Sequence, residues 1–323
     1  MALLEVKDLG VEFGAFRAVD NVSLHVDAGE VLGIVGESGS GKSVTALALM
    51  GLIDEPGRVH AQRLMFDDRD LLAMPVKERR SLLGKDIAMI FQDPMASLNP
   101  CFTVEFQLVE TLRIHEGGSR KALRARALEL LKQVEIPDAE RRLSAYPHQL
   151  SGGMSQRVMV AMAIACNPRL LIADEPTTAL DVTIQAEILA LINELVRDSG
   201  MALLMISHDL GVMAQLVSRL LVMYGGTVVE SGPTAEVFAH LAHPYTRGLF
   251  AARPRLGAPR VAGRKPRLAT IPGRVPELVD MPPGCPFADR CAWVIDACRA
   301  APPAPVNVGT SHDARCLRVG EIA

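Results

Sequence analysis

One eight-residue run constrains this chain more than any other feature. Residues 36–43 read Gly-Glu-Ser-Gly-Ser-Gly-Lys-Ser, placed between the apolar stretch Val31–Val35 and a segment, 43–53, patterned as a helix. Gly36, Gly39 and Gly41 let backbone N–H groups converge on phosphate oxygens without Cβ clashes, and a helix N-terminus adds its partial positive charge. In such a loop, which also contains Ser38, Lys42 can reach the outer phosphates of a nucleotide and the Ser43 hydroxyl can ligate Mg2+. The same residue pattern arises in chance glycine-rich turns; the strand before it and the helix after it argue for the phosphate loop.

The remaining patterning fits an α/β chain. Residues 6–13, 22–26 and 31–35 are short alternating or fully apolar runs, so the first ~90 residues read as β-rich. From about 93 to 166 the period becomes helical: Leu123, Ala127, Leu130 and Val134 fall on one face, and Arg124, Arg126 and Lys132 on the other. Two apolar strands, 170–173 and 202–206, flank a helix over 184–197, which predicts a parallel sheet buried on both faces. Hydrophobic residues make up 49% of the chain and aromatics only 4%, so aliphatic side chains and 14 methionines must build the core. Past Leu249 the composition shifts: Pro, Arg, Gly and Ala dominate 252–266, and 271–323 carries four of the six cysteines. The expected organisation is a domain over 1–250 with a helical subdomain at about 93–166, then a linker and cysteine-containing extension over 251–323.

A formal net charge of −3 provides no global basic field to hold a polyanion, which argues against nucleic acid as a partner. No apolar run reaches the ~18 residues of a spanning helix, and the opening residues lack a cationic leader, so the chain is expected neither to be secreted nor to insert itself in a membrane.

Five further segments carry chemistry. The run 170–175 is an apolar strand ending in Asp174 and Glu175, whose side chains alternation sends to opposite sides. Asp174 suits an Mg2+ anchor and Glu175 a general base for water; a strand that ends in solvent at an acidic turn is the plain alternative. The run 150–157, Leu-Ser-Gly-Gly-Met-Ser-Gln-Arg, sets Ser151, Gly152 and Gly153 at a helix N-terminus, a second anion site. With Gln92 after an apolar strand, Ala179-Leu180-Asp181, and His208 after another strand, the set resembles the ATP-binding-cassette (ABC) ATPases without substitution.

That resemblance implies a P-loop NTPase core with a helical subdomain, ATP and Mg2+ as cofactors, and Ser43, Gln92 and Asp174 around the metal. It implies Glu175, His208 and Gln92 as the catalytic set. It also implies that two cassettes sandwich ATP head to tail, so that Ser151, Gly152, Gly153 and Asp181 act on a partner's nucleotide. Adenine is expected to stack on an aromatic of the first strands; Phe13 and Phe16 are the candidates, and either can equally be core. Longer runs, 90–100, 146–157 and 243–249, resemble the ATPases of bacterial dipeptide and oligopeptide importers, closest to the dipeptide type. The expected partners are a second, related ATPase subunit, two permeases and, indirectly, a periplasmic binding protein, at the cytoplasmic face of the bacterial inner membrane. Another cargo of the same group (nickel, glutathione, haem), a soluble non-transport cassette ATPase, and a redox or metal-sensing protein stay open as alternatives.

Cys285, Cys291, Cys298 and Cys316 lie in a loop-rich tail, where four thiolates suggest a metal that supplies folding energy. The same importer ATPases carry a C-terminal cysteine set that holds a [4Fe–4S] cluster, and this spacing resembles it. Zinc, or unligated or partly paired cysteines, are the alternatives. His312 is a possible substitute ligand but is expected in solvent, and Cys101 and Cys166 are expected as buried, inert thiols.

Overall fold

The computed structural model describes residues 2–178, 180–253 and 269–322. Ala179 and most of the expected linker therefore lie outside the described residues. The chain resolves into two compact units, each built from separated stretches: residues 1–5, 25–31 and 64–206 form one, and residues 6–24, 32–63 and 207–323 the other.

In the first unit Ile87–Ile90, Leu170–Asp174 and Ala202–Ser207 pair in parallel, with Ala88 opposite Leu171 and Leu171 opposite Leu203. Nearly every residue of these strands is buried, which explains why they read as continuous apolar runs rather than alternating ones. The helical stretch comprises Pro94–Ser97, Val104–His115, Arg120–Gln133, Ala139–Leu143 and Gly152–Ile164. Four of these start on side-chain caps, from Asp93, Thr103, Ser119 and Ser151, each accepting a backbone N–H that the helix leaves unpaired. Leu123, Ala127, Leu130 and Val134 are buried on one face, as their spacing predicts. Cys101 departs from expectation: it is exposed, because it sits in the turn between two helices, its N–H donated to Asn99 Oδ1 at 3.0 Å. Cys166 is buried as expected, and burial pushes its thiol up to about 11.

In the second unit Leu32–Val35 runs parallel to Arg219–Tyr224, which continues antiparallel into Thr227–Pro233. The C-terminal stretch adds two short strands to this edge, His312–Ala314 and Val306–Gly309, with Glu230 opposite Ala314. His312 is consequently buried rather than solvated, its Nε2 2.8 Å from the equally buried Glu230 carboxylate. The first strands run longer than their alternation indicates, Ala2–Phe13 and Phe16–Asp27. In the first of them Asp8 breaks the alternation: its φ of 52° shifts the phase, so Leu4 and Val6 are buried before it and Leu9 and Val11 after it. Ser23 holds the irregularity, accepting the Asp8 N–H at 2.9 Å. Among the described residues no helix is long and apolar enough to cross a membrane.

Candidate functional site

The second unit carries the phosphate-loop motif. Gly41 has φ 93° and caps the helix Lys42–Met50; a Cβ there would meet the Ala18 carbonyl oxygen at 2.8 Å, so only glycine fits. The Gly226 N–H donates to the Ser40 carbonyl at 3.1 Å, fixing the loop from the neighbouring hairpin. Lys42 is buried, and its ammonium donates to the carbonyls of Gly36 and Glu37 at 2.8 and 3.0 Å. Ser38 and Gly39 are exposed and Ser43 is half-buried, so the loop presents its middle to solvent. Phe16, on the strand that carries Ala18, is 41% exposed, whereas Phe13 is half-buried, its ring edge where a Cβ at Gly57 would come within 2.8 Å. His208 is exposed between the strand end at Ser207 and the helix cap Asp209, which accepts the N–H groups of Gly211 and Val212.

The first unit carries the acidic pair and the serine-glycine turn. Asp174 ends its strand and is buried; Glu175 already lies outside it, with φ 45°. The two carboxylates thus diverge because the chain turns at Glu175, not because a strand alternates through it. A non-glycine residue held at positive φ costs on the order of 1–2 kcal/mol, and the Glu175 N–H donating to the Ile206 carbonyl at 3.0 Å helps to hold it. Gln92 Nε2 and Thr178 Oγ1 both donate to Glu175 Oε2, at 3.2 and 3.0 Å, which fixes where the carboxylate points. Ser151 caps its helix at the surface through the Met154 N–H, and Gly152 is exposed. A Cβ at Gly153 would sit 2.9 Å from Ile184 Cγ2, so this glycine lets the turn pack against the helix Val182–Ser199. Asp181 caps that helix by accepting the Ile184 N–H at 3.0 Å.

The cysteine extension, within the second unit, gathers Cys285, Cys291, Cys298 and Cys316 around one small cavity shared with Phe287 and Trp293. Its volume of about 20 Å³ is that of a single water site, and among the described residues no group of His, Cys, Asp or Glu stands at metal-ligating geometry. The extension therefore shows convergence of thiols, not ligation. Burial lifts the Cys285 thiol to about 11 and raises Cys291 and Cys316 as well, while the N–H groups of Phe287, Trp293 and Arg318 pull the three back.

Several residues of these sites carry no motif. Thr178 follows the acidic pair, and Glu37 occupies a variable position of the phosphate loop. Tyr245 and Arg290 lie far along the chain and approach that loop only through the fold: the Glu37 N–H donates to Tyr245 Oη at 2.7 Å, and Arg290 Nη1 donates to Glu37 Oε2 at 2.6 Å. No spacing rule could have found this pair, 253 residues apart.

Comparison with known proteins gives a consistent answer. Residues 19–178 match the ABC transporter family, and residues 229–298 match the oligopeptide/dipeptide transporter C-terminal region. The chain is 54% identical to the dipeptide transport ATP-binding protein DppD of Escherichia coli strain K12, over 98% of this chain and 96% of that one. It is 47% identical to the oligopeptide transport ATP-binding protein OppD of Haemophilus influenzae, over 93% and 92% of the two chains. Among solved structures, the ATP-binding cassette MJ0796, as a dimer in a post-hydrolysis state bound to ADP and Pi, aligns with a TM-score of 0.62 at 29% identity, over 72% of this chain and 98% of that one. A clostridial relative, cbiO1 from Clostridium perfringens, aligns with the same TM-score at 27% identity, over 74% and 92%. With a phosphate-loop motif, an acidic strand end and a serine-glycine turn on an α/β scaffold, and with near-full-length likeness to these proteins, the chain belongs to the ABC transporter ATPases, in the branch of dipeptide and oligopeptide transport ATP-binding subunits.

Proposed function

We propose that the chain is the ATP-hydrolysing subunit of an importer for dipeptides or oligopeptides. The observation that carries this reading is the 54% identity to DppD across almost the whole of both chains, with every cassette motif present in this one. In it, the loop of Gly36, Ser38, Gly39, Gly41, Lys42 and Ser43 binds the triphosphate, and Ser43, Gln92 and Asp174 would hold Mg2+, which neutralises phosphate charge. Glu175 takes a proton from water as its oxygen attacks the γ-phosphorus and the bond to the bridging oxygen breaks; Gln92 and Thr178 hold that carboxylate, and His208 stabilises charge developing on the phosphate. Exposure of Phe16, two residues along the strand from the Ala18 that abuts Gly41, favours it over Phe13 as the adenine platform.

This chain presents its Ser151 turn and Asp181 region to the nucleotide of a second cassette, a related chain whose own serine-glycine turn completes the site here; the surface position of Ser151 and Gly152 supports this. ATP then joins the two cassettes while it keeps its γ-phosphate, and the closed state is lost on hydrolysis. Two permeases at the cytoplasmic face of the inner membrane convert closure into transport, and a periplasmic binding protein delivers the cargo.

The donor chemistry of the cysteine set, four sulfurs around one cavity with three of them taking a backbone N–H from two residues on, favours a [4Fe–4S] cluster, for which the sulfurs would have to move apart from the water-sized space they now enclose. Bound there, the cluster would cross-link Cys285, Cys291, Cys298 and Cys316 and supply a one-electron centre.

Isolation of the assembly from membranes tests the reading. Two polytopic permeases, a second cassette subunit and peptide-stimulated ATP turnover are expected, with iron and acid-labile sulfide in the same fraction. A soluble protein without membrane partners, whose turnover ignores peptides, would overturn the transport assignment.

A further inference from the structure

Arg290 precedes Cys291 and lies in the turn Ala288–Arg290, inside the thiol-bearing loop. Its side chain is only 5% exposed. Nε donates to the Pro272 carbonyl at 2.8 Å, Nη1 to Glu37 Oε2 at 2.6 Å and to Tyr224 Oη at 3.3 Å, and Nη2 to Glu37 Oε1 at 3.2 Å and the Ile271 carbonyl at 3.5 Å. A planar fork engaging both carboxylate oxygens fixes orientation as well as distance. The residue so held is the second of the phosphate loop, and the Gly36 and Glu37 carbonyls are those that receive the Lys42 ammonium. Tyr245, which takes the Glu37 N–H, packs edge-on against Tyr224 at 4.7 Å and lies 5.4 Å from Phe287 between ring centroids.

Phe287 joins the two places. Its ring meets Tyr224 and Tyr245, it lines the thiol cavity, and its N–H is directed at the Cys285 sulfur. Cys285 and Cys291 thus bracket both Phe287 and Arg290. A displacement of these two sulfurs therefore acts on the segment whose side chains hold Glu37 by its carboxylate and, through Tyr245, by its N–H.

We infer that Arg290 is a positioning residue for the phosphate loop, through which the state of the cysteine site sets nucleotide affinity. This rests on the nucleotide-binding role proposed above for residues 36–43.

Equilibrium binding of a fluorescent ATP analogue with Mg2+ to the purified full chain, with a thermal melt of each variant as a fold check, tests it. R290K keeps the charge and loses the fork; E37Q keeps the shape and loses the charge. Each is expected to weaken binding about tenfold, and the double variant no further, because one contact carries both effects. C285S/C291S is expected to change affinity in the wild-type background and to have no further effect in R290K. Should R290K fail to fold, E37Q, whose site is partly open to solvent, decides in its place. Wild-type affinity in E37Q and R290K, or in C285S/C291S, overturns the inference, provided that K42A loses binding. If the wild-type chain itself binds no Mg-ATP, the nucleotide reading fails instead.

Discussion

His243 should make the protein acid-sensitive by an amount that the structure sets. Its ring is fully buried, and its Nδ1 accepts the Tyr245 N–H at 3.1 Å, capping the helix Pro244–Ala251. Acceptance at Nδ1 requires the neutral imidazole, and burial pushes the ring's pKa down to about 3. The folded pKa lies below the unfolded value of about 6.5, so the contribution is fully present above pH ~6.5 and is lost as pH falls toward the folded pKa. Between pH 7 and 5 the unfolded chain takes up the proton and the folded chain does not. At about 1.4 kcal/mol per unit over some 1.5 units, this removes about 2 kcal/mol, whatever folded pKa below ~4 applies. With an unfolding entropy of about 2.1 cal/mol/K for each of 323 residues, that corresponds to roughly 3 °C in Tm. H243N is the control, since asparagine also caps helices but does not titrate. Thermal melts at pH 7 and pH 5 should show the wild type losing about 3 °C more than H243N. Equal losses in the two proteins would show that His243 is charged or solvated in the folded state, and the burial argument would fail.

Three other outcomes follow from the sites. E175Q should keep Mg-ATP binding while lowering turnover by ~10²–10⁴, the usual contribution of a general base; single-turnover hydrolysis near the wild-type rate would remove Glu175 from that role. F16A should weaken nucleotide binding by about 1–3 kcal/mol, as loss of a base-stacking ring does, while F13A should lower Tm with little change in affinity; titration and melting of both variants check this, and the reverse result would make Phe13 the platform. G153A should slow turnover in the assembled transporter by pushing the serine-glycine turn off Ile184, and I184A should restore part of it; an I184A background that rescues nothing would refute the steric account.

Much of the chemistry was readable from short runs. A loop such as 36–43 is recognised because few residue types allow backbone N–H groups to converge, and Asp174, Glu175, Ser151, Gln92 and His208 each stand beside a strand end or helix start that patterning locates. The helix bearing Leu123 and Leu130 was readable for the same reason, since a buried face imposes its period. The first strand was only half-readable, because Asp8 inverts the alternation midway. Cys101 and His312 went the other way from their neighbourhoods: local apolarity says nothing of a side chain at a turn, and a histidine between polar residues can still be drawn under a sheet edge by pairing.

Taken alone, the amino-acid order determined that the chain is an α/β nucleotide-loop protein of the cassette type, because those features are written in contiguous residues whose spacing local geometry requires. Only the tertiary structure decided which thiols face one cavity, which oxygen of Glu175 receives Gln92 and Thr178, and that Arg290 grips Glu37. These contacts join residues up to 253 positions apart, and no local periodicity records them: they arise where buried polar groups must find partners across packed elements.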